Sequence, residues 1–112
     1  MARKKRALED MIMRGEIELV EVDEAIARNE IEQARRHLAT ARTLIGVDNN
    51  VAHTALYDGA RKAINAHMRF SGYRAKGPLG RHATTVRYAR AVFAGRGFDD
   101  ALEAFDEMRQ VR

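Results

Sequence analysis

Arg61 and His67 are the first residues to raise a question of chemistry. Metal-free cleavage of RNA needs a cation to hold the phosphate and an imidazole to move the proton of a 2′-hydroxyl. These two residues lie in one alanine-rich run, with five residues between them. Residues six apart on a helix differ by about 240° around the axis and about 9 Å along it, so the pair points to different faces. His67 also falls on the apolar stripe, where it reads as a hydrogen-bonded core histidine. No catalytic residue is assigned; Arg61, His67, Arg109 and Arg112 are the candidates.

A second group suits anion binding rather than proton transfer. Arg61, Lys62, Arg69, Arg74, Lys76, Arg81, His82 and Arg87 gather along one helix and around the glycine-bearing segment that follows it. Such a segment beside a helix N-terminus can grip phosphate, although the spacing is neither that of a P-loop nor that of a dinucleotide fingerprint. The alternative is a solvated basic loop, with His82 capping or pinning the next helix. Tyr57, Arg61 and Asn65 recur every four residues as a polar ridge, suited either to a nucleotide cleft or to a dimer seam. His37 and His53 have no companion at metal-ligand spacing, His37 reading as a surface residue and His53 as a boundary one. The acids from Glu18 to Glu24 read as a solvated lead-in, so no metal or cofactor is expected.

These residues need a scaffold. The chain has 112 residues, 46% hydrophobic and 32% charged, enough for one domain with one core. Cysteine is absent, which removes disulfides and thiolate zinc sites. No apolar run is long enough to cross a bilayer, and basic Met1–Arg6 leads into Leu8-Glu9-Asp10 rather than a secretory core. A cytoplasmic protein without membrane contact is the expectation, and Arg3–Arg6 reads as a short basic arm. The net charge of +4 is unevenly spread. Residues 16–33 carry seven acids against Arg28, residues 34–98 carry twelve bases against Asp48 and Asp58, and the tail from Asp99 is acidic again. Either the basic stretch makes a positive face, or acidic and basic segments pair with each other.

Periodicity supplies the elements. A short N-terminal helix has Leu8, Met11 and Ile12 on one side and ends at Gly15. Glu16–Val22 alternates polar and apolar but has no evident partner strand, so it reads as an extended lead-in. Asp23 caps a long helix with the stripe Ala27, Ile31, Ala34, Leu38, Ala41 and Ile45, closed by Gly46. Asp48-Asn49-Asn50 turns the chain into a second long helix to Phe70, with Ala52, Ala55, Leu56, Gly59, Ala60, Ala63, Ile64 and His67 on its small-residue face. The two should pack antiparallel. Ser71–Arg81 is a loop broken by Gly72, Gly77, Pro78 and Gly80. A third helix spans about His82–Ala94 with Val86, Ala89 and Phe93 inward. Asp100 and Glu103 form a capping box for a last helix carrying Leu102, Phe105 and Met108, which reads as truncated at Arg112.

The run Ala55–Ala66, with Tyr57, two small residues, Arg61, Lys62 and Ala63, then Gly72-Tyr73-Arg74, then Gly80-Arg81-His82, is similar to HEPN (higher eukaryote and prokaryote nucleotide-binding) domains. The closest likeness is to an uncharacterised actinobacterial branch in which an acidic lead-in, here Gly15–Asp23, precedes the first long helix. It covers roughly residues 14–95. The resemblance implies an up-and-down helical bundle, usually a homodimer with a positive cleft between subunits. Members include RNA-cleaving toxins, CRISPR-associated ribonucleases and non-catalytic partners of nucleotidyltransferases. Ribonuclease members carry an arginine followed closely by a histidine late in the domain. Here that helix offers Arg109 and Arg112, and no histidine follows.

The expectation is therefore an all-α, HEPN-like bundle of four main helices over residues 23–112, with a lead-in of residues 1–22 that has room for a short helix. Its expected role is an RNA- or nucleotide-associated binding module, in a toxin–antitoxin or defence system, partnered by a second copy, a cognate antitoxin or a nucleotidyltransferase. The alternatives are a structural or protein-interaction dimer without nucleic acid, and a metal-independent endoribonuclease whose motif lies partly beyond Arg112.

Overall fold

The computed structural model describes residues 2–76 and 81–111. Five helices follow in order: α1 (Ala2–Met13), α2 (Glu24–Leu44), α3 (Asn49–Phe70), α4 (Arg81–Phe93) and α5 (Asp99–Val111). Two three-residue strands, β1 (Ile17–Leu19) and β2 (Tyr73–Ala75), complete an otherwise all-α architecture. No helix among the described residues is long and apolar enough to cross a membrane.

The long helices begin where the sequence places their caps. The Asp23 carboxylate accepts the Ile26 N–H at 3.0 Å, and Asp48 accepts the Val51 N–H at 3.2 Å, each satisfying a donor that the first turn leaves orphaned. The turn between them is tight, with the Gly46 N–H donating to Asn49 Oδ1 at 2.8 Å. So short a connection returns α3 antiparallel along α2. Their seam is made of small residues: Ala27, Ala34 and Ala41 from α2 are buried, as are Ala52, Ala55, Gly59 and Ala66 from α3. The approach is tight at Gly59, where a Cβ would stand 3.2 Å from Leu38 Cγ and 3.3 Å from the Ala34 carbonyl oxygen. The expected small-residue face of α3 is rotated accordingly. Ala66 joins the seam, while Leu56 and Ala63 stay exposed because α2 is too narrow to cover them.

The lead-in and the loop depart most from expectation. Glu16–Val22 does find a partner strand, and it lies inside the segment read as a loop. Ile17 pairs with Ala75, Glu18 with Arg74 and Leu19 with Tyr73, antiparallel. The Val20 N–H to Gly72 carbonyl bond (2.8 Å) and the Lys76 N–H to Glu16 carbonyl bond (2.8 Å) extend the ladder at both ends. Gly72 makes the exit from α3 possible: its φ is +83°, and any Cβ would lie 3.1 Å from the Val20 carbonyl oxygen. Of the loop glycines, Gly77 and Gly80 fall outside the described residues, as does Pro78.

Two apolar clusters fill the interior. Leu8 and Met11 of α1, Ile17 of β1, Met68 of α3, and Tyr88 and Val92 of α4 form the first. Tyr57, Val86 and Phe105 form the second, joining α3, α4 and α5. Tyr57 is fully buried and stacks on Phe105 with ring centroids 5.1 Å apart. It is therefore a core residue and not part of an exposed ridge, because its side of α3 is the one that α4 and α5 cover. The last helix starts at Asp99, one residue before the expected capping box. The Asp99 carboxylate accepts from the Gly95 N–H, and Glu103 is drawn to Arg90 of α4 rather than back to the helix start.

His67 is half-buried at the edge of the first cluster, with Nδ1 2.8 Å from the Tyr88 hydroxyl and its ring edge-on to Phe93. Burial, with Lys4 and Arg96 adding to it, pulls its pKa below the usual imidazole range. The unfolded chain therefore takes up this proton first as pH falls below about 6.5, so the His67 contribution is complete above that value and declines below it. The melting temperature should drop more between about pH 7.5 and 5.5 in the native sequence than in His67→Asn. For the helix seam, Gly59→Val should cost about 1–3 kcal/mol in urea unfolding, because the Ala34 backbone cannot yield to the added methyls.

Candidate functional site

A cleft of about 530 Å³ opens between α2, α3 and the two-stranded sheet. Helix α3 supplies Arg61, Lys62, Asn65 and Arg69, β2 and the residue after it supply Arg74 and Lys76, and Thr85 of α4 adds a hydroxyl. Ile26, Met68 and Ala75 give it an apolar floor, and Glu18 and Glu30 are its carboxylates. Five cationic side chains thus face two acids.

Helical spacing aligns the α3 contribution. Arg61, Asn65 and Arg69 recur every four residues and so form one row about 12 Å long. The four-residue ridge is real, but it runs from Arg61 toward the C-terminus instead of starting at Tyr57. The β-ladder supplies the facing wall. Arg74 lies directly across from Glu18, and Lys76 lies diagonal to it, so one carboxylate meets two cations. Glu18 is bonded by Arg74 and stands 3.4 Å from the Lys76 ammonium. The Arg74 hydrogen bond is the main reason its pKa lies below the ordinary carboxylate value. The Glu18 part of the acidic lead-in is therefore a counter-ion of the basic segment. Glu30 plays a similar part toward Lys62 at 3.7 Å, and Asp58 stands 3.8 Å from Arg61.

Arg69 is different. Among the described residues no carboxylate lies within ion-pair distance of it, and its Nε is buried without a hydrogen-bond partner. Arg61 Nε is in the same condition, although its terminal nitrogen approaches Asp58. Withdrawing a guanidinium N–H from water without a partner costs free energy, roughly 1–3 kcal/mol for a group of this kind. Two such atoms, one at each end of the row, make a cleft whose donors are only partly satisfied by the protein itself.

The other sequence candidates lie elsewhere. Arg87 is held by Glu16, with Nε 2.6 Å from one carboxylate oxygen and a terminal nitrogen 3.3 Å from the other. It faces the groove shared with Arg14 and Arg90, not the cleft, because α4 turns it toward α1. His82 lies against the Tyr57 ring at 5.4 Å and is a packing neighbour of the second core cluster. The Arg81 side chain and Arg112 fall outside the described residues. Arg109 is bound to Asp106 of its own helix at 3.0 Å. Arg61 and His67 are not brought together: the first lines the cleft, and the second faces Tyr88 and Phe93. Among the described residues no three His, Asp or Glu side chains converge as metal ligands would.

Comparison with known proteins finds no matching family model, no matching curated protein and no matching solved structure. Geometry therefore carries the reading of the cleft, and the sheet that forms its wall can be tested separately. Arg87→Met would strand the buried Glu16 carboxylate at the foot of β1, and should lower stability by about 1–3 kcal/mol in urea unfolding.

Proposed function

We propose that this chain binds RNA, or a nucleotide-bearing ligand, through the phosphates that the cleft on α3 accepts. The observation that carries the reading is Arg69, a half-buried guanidinium in a cationic cleft with no carboxylate partner among the described residues and a buried, unbonded Nε. A phosphate oxygen supplies both the missing charge and the missing acceptor, and a planar guanidinium suits it better than an ammonium would. Asn65, whose Oδ1 accepts from the buried Thr85 hydroxyl at 3.5 Å, offers its amide to sugar hydroxyls or base edges beside the cationic row.

Binding is favoured over cleavage. His67 faces the Tyr88 hydroxyl outside the cleft, and no histidine among the described residues lines the cleft. The HEPN-like run around Tyr57–Ala63 and the histidine at the start of α4 agree with a nucleic-acid-associated role, and a toxin–antitoxin or defence setting is what that resemblance implies. The acids within the cleft supply selectivity: Glu18 and Glu30 leave part of the cationic surface neutralised until a stronger anion competes for it.

The test is fluorescence anisotropy of labelled single-stranded RNA over a salt series. The double variant Arg61→Glu, Arg69→Glu should weaken binding at least about tenfold and flatten the salt dependence by about one to two contacts. Arg35→Glu is an exposed charge reversal outside the cleft. It should leave affinity within about threefold. Equal losses in the two proteins, or no binding at low salt, would defeat the assignment.

A further inference from the structure

Helix α2 packs along α3 and makes no comparable contact with any other described element. One side of this helix pair, holding Ile26 and Glu30 from α2 and Arg61, Asn65 and Arg69 from α3, is the cleft already described. The other side is apolar. Leu38, Ala41, Ile45, Ala52 and Leu56 line a groove there, flanked by Arg42 and His53.

The groove continues beyond its deepest part in a regular way. On α2, Ile31, Leu38 and Ile45 recur every seven residues. On α3, Leu56, Ala63 and Phe70 do the same. A seven-residue repeat keeps apolar residues on one slowly turning line, which is the pattern of a helix that supercoils with a partner. Among the described residues most of this line stays exposed: Leu38 is 37% exposed, Ile45 67%, Leu56 43% and Phe70 44%. Beside the α2 line runs a third seven-residue series, Arg28, Arg35 and Arg42, all exposed. Among the described residues only Glu24, 3.6 Å from Arg28, pairs with it.

We infer that this groove docks an amphipathic helix of another protein, one whose apolar stripe fills the α2–α3 furrow and whose flank carries carboxylates at seven-residue spacing. The charge row chooses the occupant. In coiled-coil packing, residues flanking the apolar seam select partners by charge, and a row of three arginines selects acids. A second copy would bring the same three arginines to the interface with Glu24 alone to offset them. A concave furrow between two helices also fits a helix better than a flat membrane surface. The inference does not depend on the cleft, which uses other residues of both helices.

The full chain can be titrated with two synthetic helices of about 21 residues, long enough to cover the seam. Both carry leucine at the seam positions; one carries glutamate at the flanking positions and the other lysine. The glutamate helix should bind at least about tenfold more tightly than the lysine helix, and Leu38→Asp should abolish the binding. Arg35→Glu with Arg42→Glu should reverse the preference. All three positions are exposed or at the edge of exposure, and circular dichroism checks that each variant folds. Equal binding of the two helices, or none, overturns the inference. So does a dimer in sedimentation that Leu38→Asp dissociates, which would give the groove to a second copy.

Discussion

The antiparallel pairing of β1 with β2 is the contact on which most of the molecule depends, though it involves only three residues on each side. It joins a segment before the first long helix to one after the second, and closes a loop of more than fifty residues. Nothing local favours such closure; two isolated three-residue strands would not hold together in water. What holds them is burial on one face and charge on the other. Ile17 enters the core against Met68 and Tyr88, while Glu18 faces Arg74 and Lys76 across the ladder. Exposed ion pairs add little stability by themselves. Their role here is register, since a slip of one residue would turn Ile17 to water and Glu18 into the core.

From that pairing the cleft follows. Arg61, Asn65 and Arg69 are set by helical spacing alone, and a lone row of this kind on a helix is a solvated surface. The sheet brings Arg74 and Lys76 to the same cleft as the row, where Arg69 Nε is buried. Two carboxylates temper the charge, which is a condition for the cleft to exist in a folded protein at all: five cations packed without acids would repel one another and open the site. The same acids thus offset the cations of the folded cleft, and under the proposed function they are what a phosphate would displace.

Much of this was legible in the sequence, in proportion to how local its cause is. Caps at Asp23 and Asp48 act through neighbours three residues away, and both helices begin beside them. The stripe of alanines on α2 predicts its buried seam for the same reason. The β pairing was not legible, because Glu16–Val22 alternates like a strand but has no partner near it in sequence, Tyr73–Ala75 is too short to announce one, and their match in charge becomes visible only when they are placed side by side. Tyr57 was misread on periodicity: its four-residue spacing with Arg61 and Asn65 suggested a shared polar face. About 40° per step of four is enough drift to carry one end of such a row into the core and the other into a cleft. Arg87 shows the same limit, since its partner Glu16 lies in a segment whose path only the fold reveals.

The two faces of the α2–α3 pair have a common origin. Helices that approach through alanine and glycine lie close together, with Gly59 held against Leu38 and the Ala34 carbonyl. A close seam buries the small residues and leaves larger ones on its shoulders, where the facing helix covers them only in part. On one shoulder these are the arginines, lysine and asparagine of the cleft, with the sheet folded over them. On the other they are Leu38, Ile45 and Leu56, each left partly exposed among the described residues. A larger residue at Gly59 would push the helices apart and loosen both shoulders together. The narrowness of one seam therefore bears on the width of the cationic cleft and the depth of the apolar furrow at once.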